Sequence, residues 1–214
     1  MAFNRAVTLI PPKAPNQPIA PLEYDQKFQD QFSNVLRLYF NQIDNFCQPL
    51  STGTGGAYIK FPYGAFASYA TQTATANTAT QLTFNQTDFA NGVSLSGSNI
   101  TVANAGIYNL QFSVQVQSLD NAPIDVSIWL RQNGVDIAGS TGVIGMLARK
   151  SPSDPSHDIK GWNYFLSMNA NDNVQIWWST TSASVTIPTY TASASPTRPS
   201  TASVVATMSF VSSI

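Results

Sequence analysis

Residues 106–117 read Gly-Ile-Tyr-Asn-Leu-Gln-Phe-Ser-Val-Gln-Val-Gln, and their alternation decides the fold class. Tyr108, Leu110, Phe112, Val114 and Val116 fall on one side of an extended chain. Asn109, Gln111, Ser113, Gln115 and Gln117 fall on the other, because successive side chains of a strand point to opposite faces. One face is apolar and one polar, as in an antiparallel sheet with a single covered side. The same period recurs outward from this segment. In 124–132 it places Ile124, Val126, Ile128 and Leu130 inward, and Asn133-Gly134 then gives a hairpin turn. In 161–169 it aligns Trp162, Tyr164, Leu166 and Met168, and in 173–179 Val174, Ile176 and Trp178. Residues 202–214 read as a last strand, and 78–84, 98–103 and 141–149 as further short ones. Eight to ten short strands separated by turn signals predict a two-sheet antiparallel sandwich.

Three aromatic residues fall out of phase. Trp129, Phe165 and Trp177 lie on faces otherwise meeting water, and large exposed aromatics mark a partner surface. They are the expected subunit interface.

Upstream the pattern changes. Residues 1–21 hold five prolines around Val7, Leu9, Ile10 and Ile19, which predicts an extended arm seeking a surface to order on. Residues 22–47 lack Gly and Pro, and Phe28, Phe32, Val35, Leu36, Tyr39, Phe40, Ile43 and Phe46 recur at helical spacing. Pro21 suits the first turn, Pro49 is expected to stop the helix, and Glu23, Asp25 and Asp30 lie toward its N-terminus as the dipole prefers. The stripe is wider than a coiled-coil seam, so the helix is expected to lie on another protein or on its own β-domain, with a three-stranded coiled coil as the alternative. The domain plan is therefore arm plus helix over 1–50, a Gly-rich hinge over 51–56, and a sandwich over 57–214.

Composition bounds the chemistry. Charged residues make up 10% of the chain, against about 25% in ordinary proteins, and net charge is −1. Nothing here attracts nucleic acid or an anionic membrane, and no stretch has the length of a membrane span. No secretory leader is visible, so synthesis in a cytoplasm is expected. The single cysteine, Cys47, is expected to be a small thiol covered beside the helix end. The single histidine, His157, sits in a Pro/Ser/Asp-rich stretch read as a loop. Asp88, Asp120, Asp136 and Asp172 read as turn residues rather than an acid/base pair. Asp154 and Asp158 lack a calcium-loop pattern. No enzyme activity, cofactor or metal is expected. Tyr58, Tyr63, Tyr69 and Tyr190, outside the core pattern, suit contact with a host surface glycan or packing within an assembly.

The order of elements resembles a known family. A strand pair in 81–102 precedes the Gly106-x-Tyr108-x-x-x-Phe112-Ser113 strand; an Asn-Gly hairpin, an aromatic-rich strand, an Asp172–Trp178 strand and a last strand ending at Phe210 follow. This resembles the C1q/TNF-like jelly roll, which implies a compact homotrimer. Residues 8–45 resemble the leader of structural and fibre proteins from tailed phages of aquatic bacteria, where a similar Pro-rich arm and Asn-Val-Leu-Arg-Leu-Tyr-Phe-Asn-Gln helix precede varied β-domains. Ser33-Asn34 stands where that pattern has Asn-Asn. The resemblance implies a virion protein of fibre type, attached to other virion proteins through residues 1–50. The alternatives are a capsid decoration or head-fibre protein and a lectin-like module for host glycans.

Overall fold

The computed structural model describes residues 11–51 and 61–214, in two compact units: Met1–Lys60 and Phe61–Ile214. The hinge stretch 52–56, Tyr58 and the apolar residues Val7, Leu9 and Ile10 lie outside the described residues.

In the first unit one helix, α1, runs Gln26–Ser51. It starts later than the spacing predicts, because Asp25 caps it. The Lys27 amide donates to Asp25 Oδ1 at 2.9 Å, and the Gln29 amide donates to the Asp25 carbonyl at 3.1 Å. Such a cap satisfies amides that have no partner within the helix. Pro21 and Glu23 therefore precede the helix. The helix also continues past Pro49, whose missing donor costs one hydrogen bond in the last turn.

The arm has found a surface in its own unit. Pro12, Pro15 and Pro18 are partly covered while most of their neighbours are exposed, and a polyproline-type chain turns once every three residues. One edge of the arm thus faces inward. Lys13 and Pro15 line a 160 Å³ cleft with Val35, Leu38, Tyr39 and Gln42 of α1. The reach agrees. Pro15 to Leu22 spans about 22 Å at about 3.1 Å per residue. Gln26 to Tyr39 spans about 20 Å at about 1.5 Å per residue. The arm runs back along the helix as an antiparallel partner.

The second unit carries the strands. They are β1 Tyr63–Ser68, β2 Gln72–Thr73, β3 Thr80–Gln81, β4 Gln86–Asn91, β5 Val93–Ser96, β6 Asn99–Val102, β7 Gly106–Ser118 and β8 Ile124–Gln132. They continue with β9 Val135–Asp136, β10 Gly142–Met146, β11 Ser156–Met168, β12 Asn173–Thr180, β13 Val185–Ile187, β14 Ser193–Ala194, β15 Thr197–Arg198 and β16 Val204–Ser212. One sheet runs β4-β1-β16-β7-β11; β13 shares with β16 the edge of β7 that β11 leaves, and β2 pairs with β13. The other runs β5-β6-β12-β8-β10, with β3 beside β12 and β9 beside β8. Take the eight principal strands in chain order as β1, β6, β7, β8, β10, β11, β12 and β16. The first sheet then reads first, eighth, third, sixth, and the second reads second, seventh, fourth, fifth. That order is the antiparallel jelly roll.

The core forms where the two apolar faces meet. Tyr108, Leu110, Val114 and Val116 of β7 face Val126, Ile128 and Leu130 of β8, with Val174, Ile176 and Trp178 of β12, all nearly free of solvent. The alternation read in the sequence is the burial pattern of these strands. Asn133 and Gly134 have φ of 50° and 83°, the left-handed pair that a two-residue turn between β8 and β9 requires. The open edge between β10 and β11 is closed by Trp162. Its ring stacks on Phe112 at 5.5 Å and lies over Gly142, where a Cβ would come within 1.6 Å of it.

Candidate functional site

Three surfaces collect the residues that composition left free to act. The first is the helix. Phe28, Phe32, Val35, Leu36, Tyr39, Ile43 and Phe46 are half-buried in their own unit, and Phe28 and Phe32 stack at 6.2 Å. Phe40 is 58% exposed, one turn away from the half-buried Leu36 and Ile43. The arm covers one side of the stripe and leaves a second, narrower apolar strip. Cys47 is exposed, contrary to expectation, because it falls one position past the stripe residue Phe46.

The second surface is the outer face of β11, β7 and β16. Register places Phe165 beside Asn109 and Ser209, Asn163 beside Gln111 and Thr207, and Gly161 beside Ser113 and Val205. Ile159 and Phe165 are 61% and 58% exposed. None of the outward residues of these three strands is Asp, Glu, Lys or Arg. Over Gly161 the face dips into a groove of about 420 Å³. Asn109 Oδ1 is buried beside it and has no hydrogen-bond partner among the described residues.

At the far end of this face lies His157, which the sequence reading placed in a loop. It belongs to β11 instead, paired with Gln117 of β7. Its Nδ1 is 3.2 Å from the Tyr190 hydroxyl, which donates to Gln117 Oε1 at 2.6 Å. With that proton committed to the amide, His157 Nδ1 is the donor to the tyrosine oxygen. Burial pushes the Tyr190 hydroxyl pKa up.

The third surface is the outer face of β8 and β12. Trp129 and Trp177 are direct cross-strand neighbours. Phe165 is on the other sheet, so the three out-of-phase aromatics do not share a face. Trp129 Nε1 donates to Asp136 Oδ1 at 2.7 Å, and Arg131 Nε reaches the same oxygen at 2.8 Å. The Arg131 guanidinium lies 3.9 Å over the Trp177 ring, a cation–π contact. Trp177 Nε1 donates to Gln175 Oε1 at 2.8 Å, and Gln175 Nε2 to Asn99 Oδ1 at 2.6 Å. The hydrogen bond from Arg131, then that from Trp129, holds the Asp136 carboxyl below its usual range. Asp136 therefore sits in a short strand, and Asp88 in β4, while Asp120 and Asp172 are turn acceptors as expected. One signal for the network around the tryptophans stands in the sequence itself: the Asn-Gly hairpin aligns Arg131 with Asp136.

Among the described residues no group of three or more His, Cys, Asp or Glu side chains is placed to hold a metal ion. No described helix is long and apolar enough to cross a membrane.

No family model matches the chain, and no curated protein does. Among solved structures it is similar to the globular domain of zebrafish complement 1qA protein, at 13% identity and a TM-score of 0.43, over 72% of this chain and all of that one. The jelly roll is defined here by its own strand order.

Proposed function

We propose that this chain is a virion structural protein of fibre type, whose sandwich assembles as a homotrimer and whose arm and helix dock it on other virion proteins. The observation that carries the reading is the uncharged outer face of β11, β7 and β16. A lone sandwich gains nothing from keeping Phe165 and Ile159 in water, and a buried acceptor such as Asn109 Oδ1 is costly without a donor. A neighbouring copy covers the exposed Phe165 and Ile159, and permanent assemblies favour interfaces depleted of charge. Trp129 and Trp177 have partners within the chain and are not needed for this contact. In the first unit, the strip bearing Phe40 is the complementary docking surface, and the leader resemblance supports a particle as its partner.

Sedimentation of the full chain at micromolar concentration tests the assembly. A trimer is expected, with Phe165→Asp shifting it to a monomer that keeps the far-UV signal of the sandwich and melts at a lower temperature, because assembly stabilises the folded state. A monomeric wild-type chain overturns the reading. Co-sedimentation with particles lacking the protein tests attachment. Phe40→Asp, at an exposed position, is expected to abolish incorporation and leave the trimer intact.

A further inference from the structure

We infer that the outer face of β8 and β12 is a binding site for a neutral oligosaccharide, with Trp129 as its platform and the Asp136–Arg131 pair as its polar edge. The site lies on the sheet opposite the proposed subunit contact and does not depend on it.

The case begins with what is fixed and what is left over. Two indoles stand side by side on the sheet face, and direct cross-strand neighbours lie about 5 Å apart, roughly the length of one pyranose ring. Each indole N–H has a partner within the chain, Asp136 for Trp129 and Gln175 for Trp177, so the rings are held in place. Trp177 lies under Arg131, and Trp129, partly exposed, is the indole of the pair with no cation over its ring among the described residues. Asp136 spends one oxygen on both Trp129 and Arg131. Its Oδ2 and the two terminal nitrogens of Arg131 have no partner among the described residues, and the Asp136 side chain is 56% exposed. An exposed acceptor thus stands next to the donors of a guanidinium that rests on an aromatic ring and keeps 22% of its side chain exposed.

The chemistry of that arrangement selects its ligand. A pyranose presents C–H bonds on one face and hydroxyls around its rim. The C–H face packs on an indole, a carboxylate oxygen accepts from a hydroxyl, and a guanidinium donates to the next. The few polar groups are rigid before binding, which spares the entropy of ordering them. Charge narrows the class further. Arg131 is balanced by Asp136, and no further Lys or Arg stands on the outward positions of β8 or β12. An anionic sugar meets no net attraction. An apolar protein surface would have to strip water from an ion pair it cannot replace.

The test titrates the full chain, by tryptophan fluorescence and calorimetry, with cellotetraose, chitotetraose, maltotetraose and mannotriose, and with sialyllactose as the acidic arm. Saturable binding of at least one neutral probe is expected, with a dissociation constant of about 0.1–1 mM. Trp129→Ala and Asp136→Asn are each expected to weaken it by about tenfold or more. Trp129→Phe, which keeps a ring without the N–H, restores part of the affinity and guards against loss of the fold. Phe89→Ser, at an exposed position of β4 on the other sheet, binds as wild type. A cluster that merely braces the sheet would show lower melting temperatures in the variants and no saccharide binding by the wild-type chain up to about 10 mM, and that result overturns the inference. Tighter binding of sialyllactose than of every neutral probe overturns the assigned class.

Discussion

Gly142 and Trp162 show how much one absent methyl group decides. The Trp162 ring occupies the space where a Gly142 Cβ would stand, and it seals the edge between the two sheets. Gly142→Ala must push a stacked, half-buried indole off Phe112. Overpacking of this kind costs about 1–3 kcal/mol, read as a lower urea midpoint with an unchanged slope. Asp172 acts at the same scale through charge. The Asn169 amide at 2.7 Å, the Asn133 side chain at 2.8 Å and the Gln132 amide hold its carboxyl below the usual range. A folded-state pKa below the unfolded value contributes stability that is fully present above about pH 4 and is lost as pH falls through the folded value. Asp120 and Asp136 are shifted the same way, so the protein is expected to lose stability on the acid side. Asp172→Asn is expected to lower stability by about 1 kcal/mol at neutral pH, with the gap to wild type closing as the solution is acidified. A gap that stays constant down to low pH would show that the carboxylate's charge plays no part.

Among elements, the strands with one covered face were legible and the rest were not. β7, β8 and β12 bury the residues that alternation selects, because a period of two has no other use for Tyr108, Ile128 and Trp178. β3 falls inside the stretch 78–84 read as a strand, whereas β2 and β13 are only two and three residues long, and their positions are set by pairing with strands distant in sequence, which no local pattern records. The first five residues of β11 read as loop because Asp158 and Lys160 occupy inward-parity positions, where they pair at 2.9 Å, while Ile159 points out. For the same reason the candidate sites were half visible. Misplaced aromatics announce themselves, but which of the two sheets each one joins depends on strand order. Both helix boundaries differ from what the spacing predicts, through Asp25 at one end and the helix running past Pro49 at the other. Asp25→Ala is expected to cost about 1 kcal/mol and to lower the helical far-UV signal before the sandwich unfolds. If the helical band and the sandwich melt together with no early loss, the cap is not limiting.

At the scale of the molecule, the sandwich begins and ends in one place. β1 and β16 are hydrogen-bonded neighbours, the Phe210 amide donates to the Pro62 carbonyl at 2.9 Å, and the rings of Phe61 and Phe210 stack at 6.0 Å. The chain enters and leaves this unit through a single doorway. Such a body is a cassette: it can be lifted out of one polypeptide and set into another without disturbing what stands on either side, since the host chain is spread by no more than the width of a strand pair. A circular permutant that joins Ile214 to Phe61 by a short Gly-Ser link, with new ends in the exposed 151–154 turn, is expected to fold to the same two sheets, and loss of the folded state would show that β1 must lead. Lineages that exchange their outermost parts have reason to keep such a doorway, because the hand-over then asks for one compatible seam and leaves every loop at the far rim free to diverge.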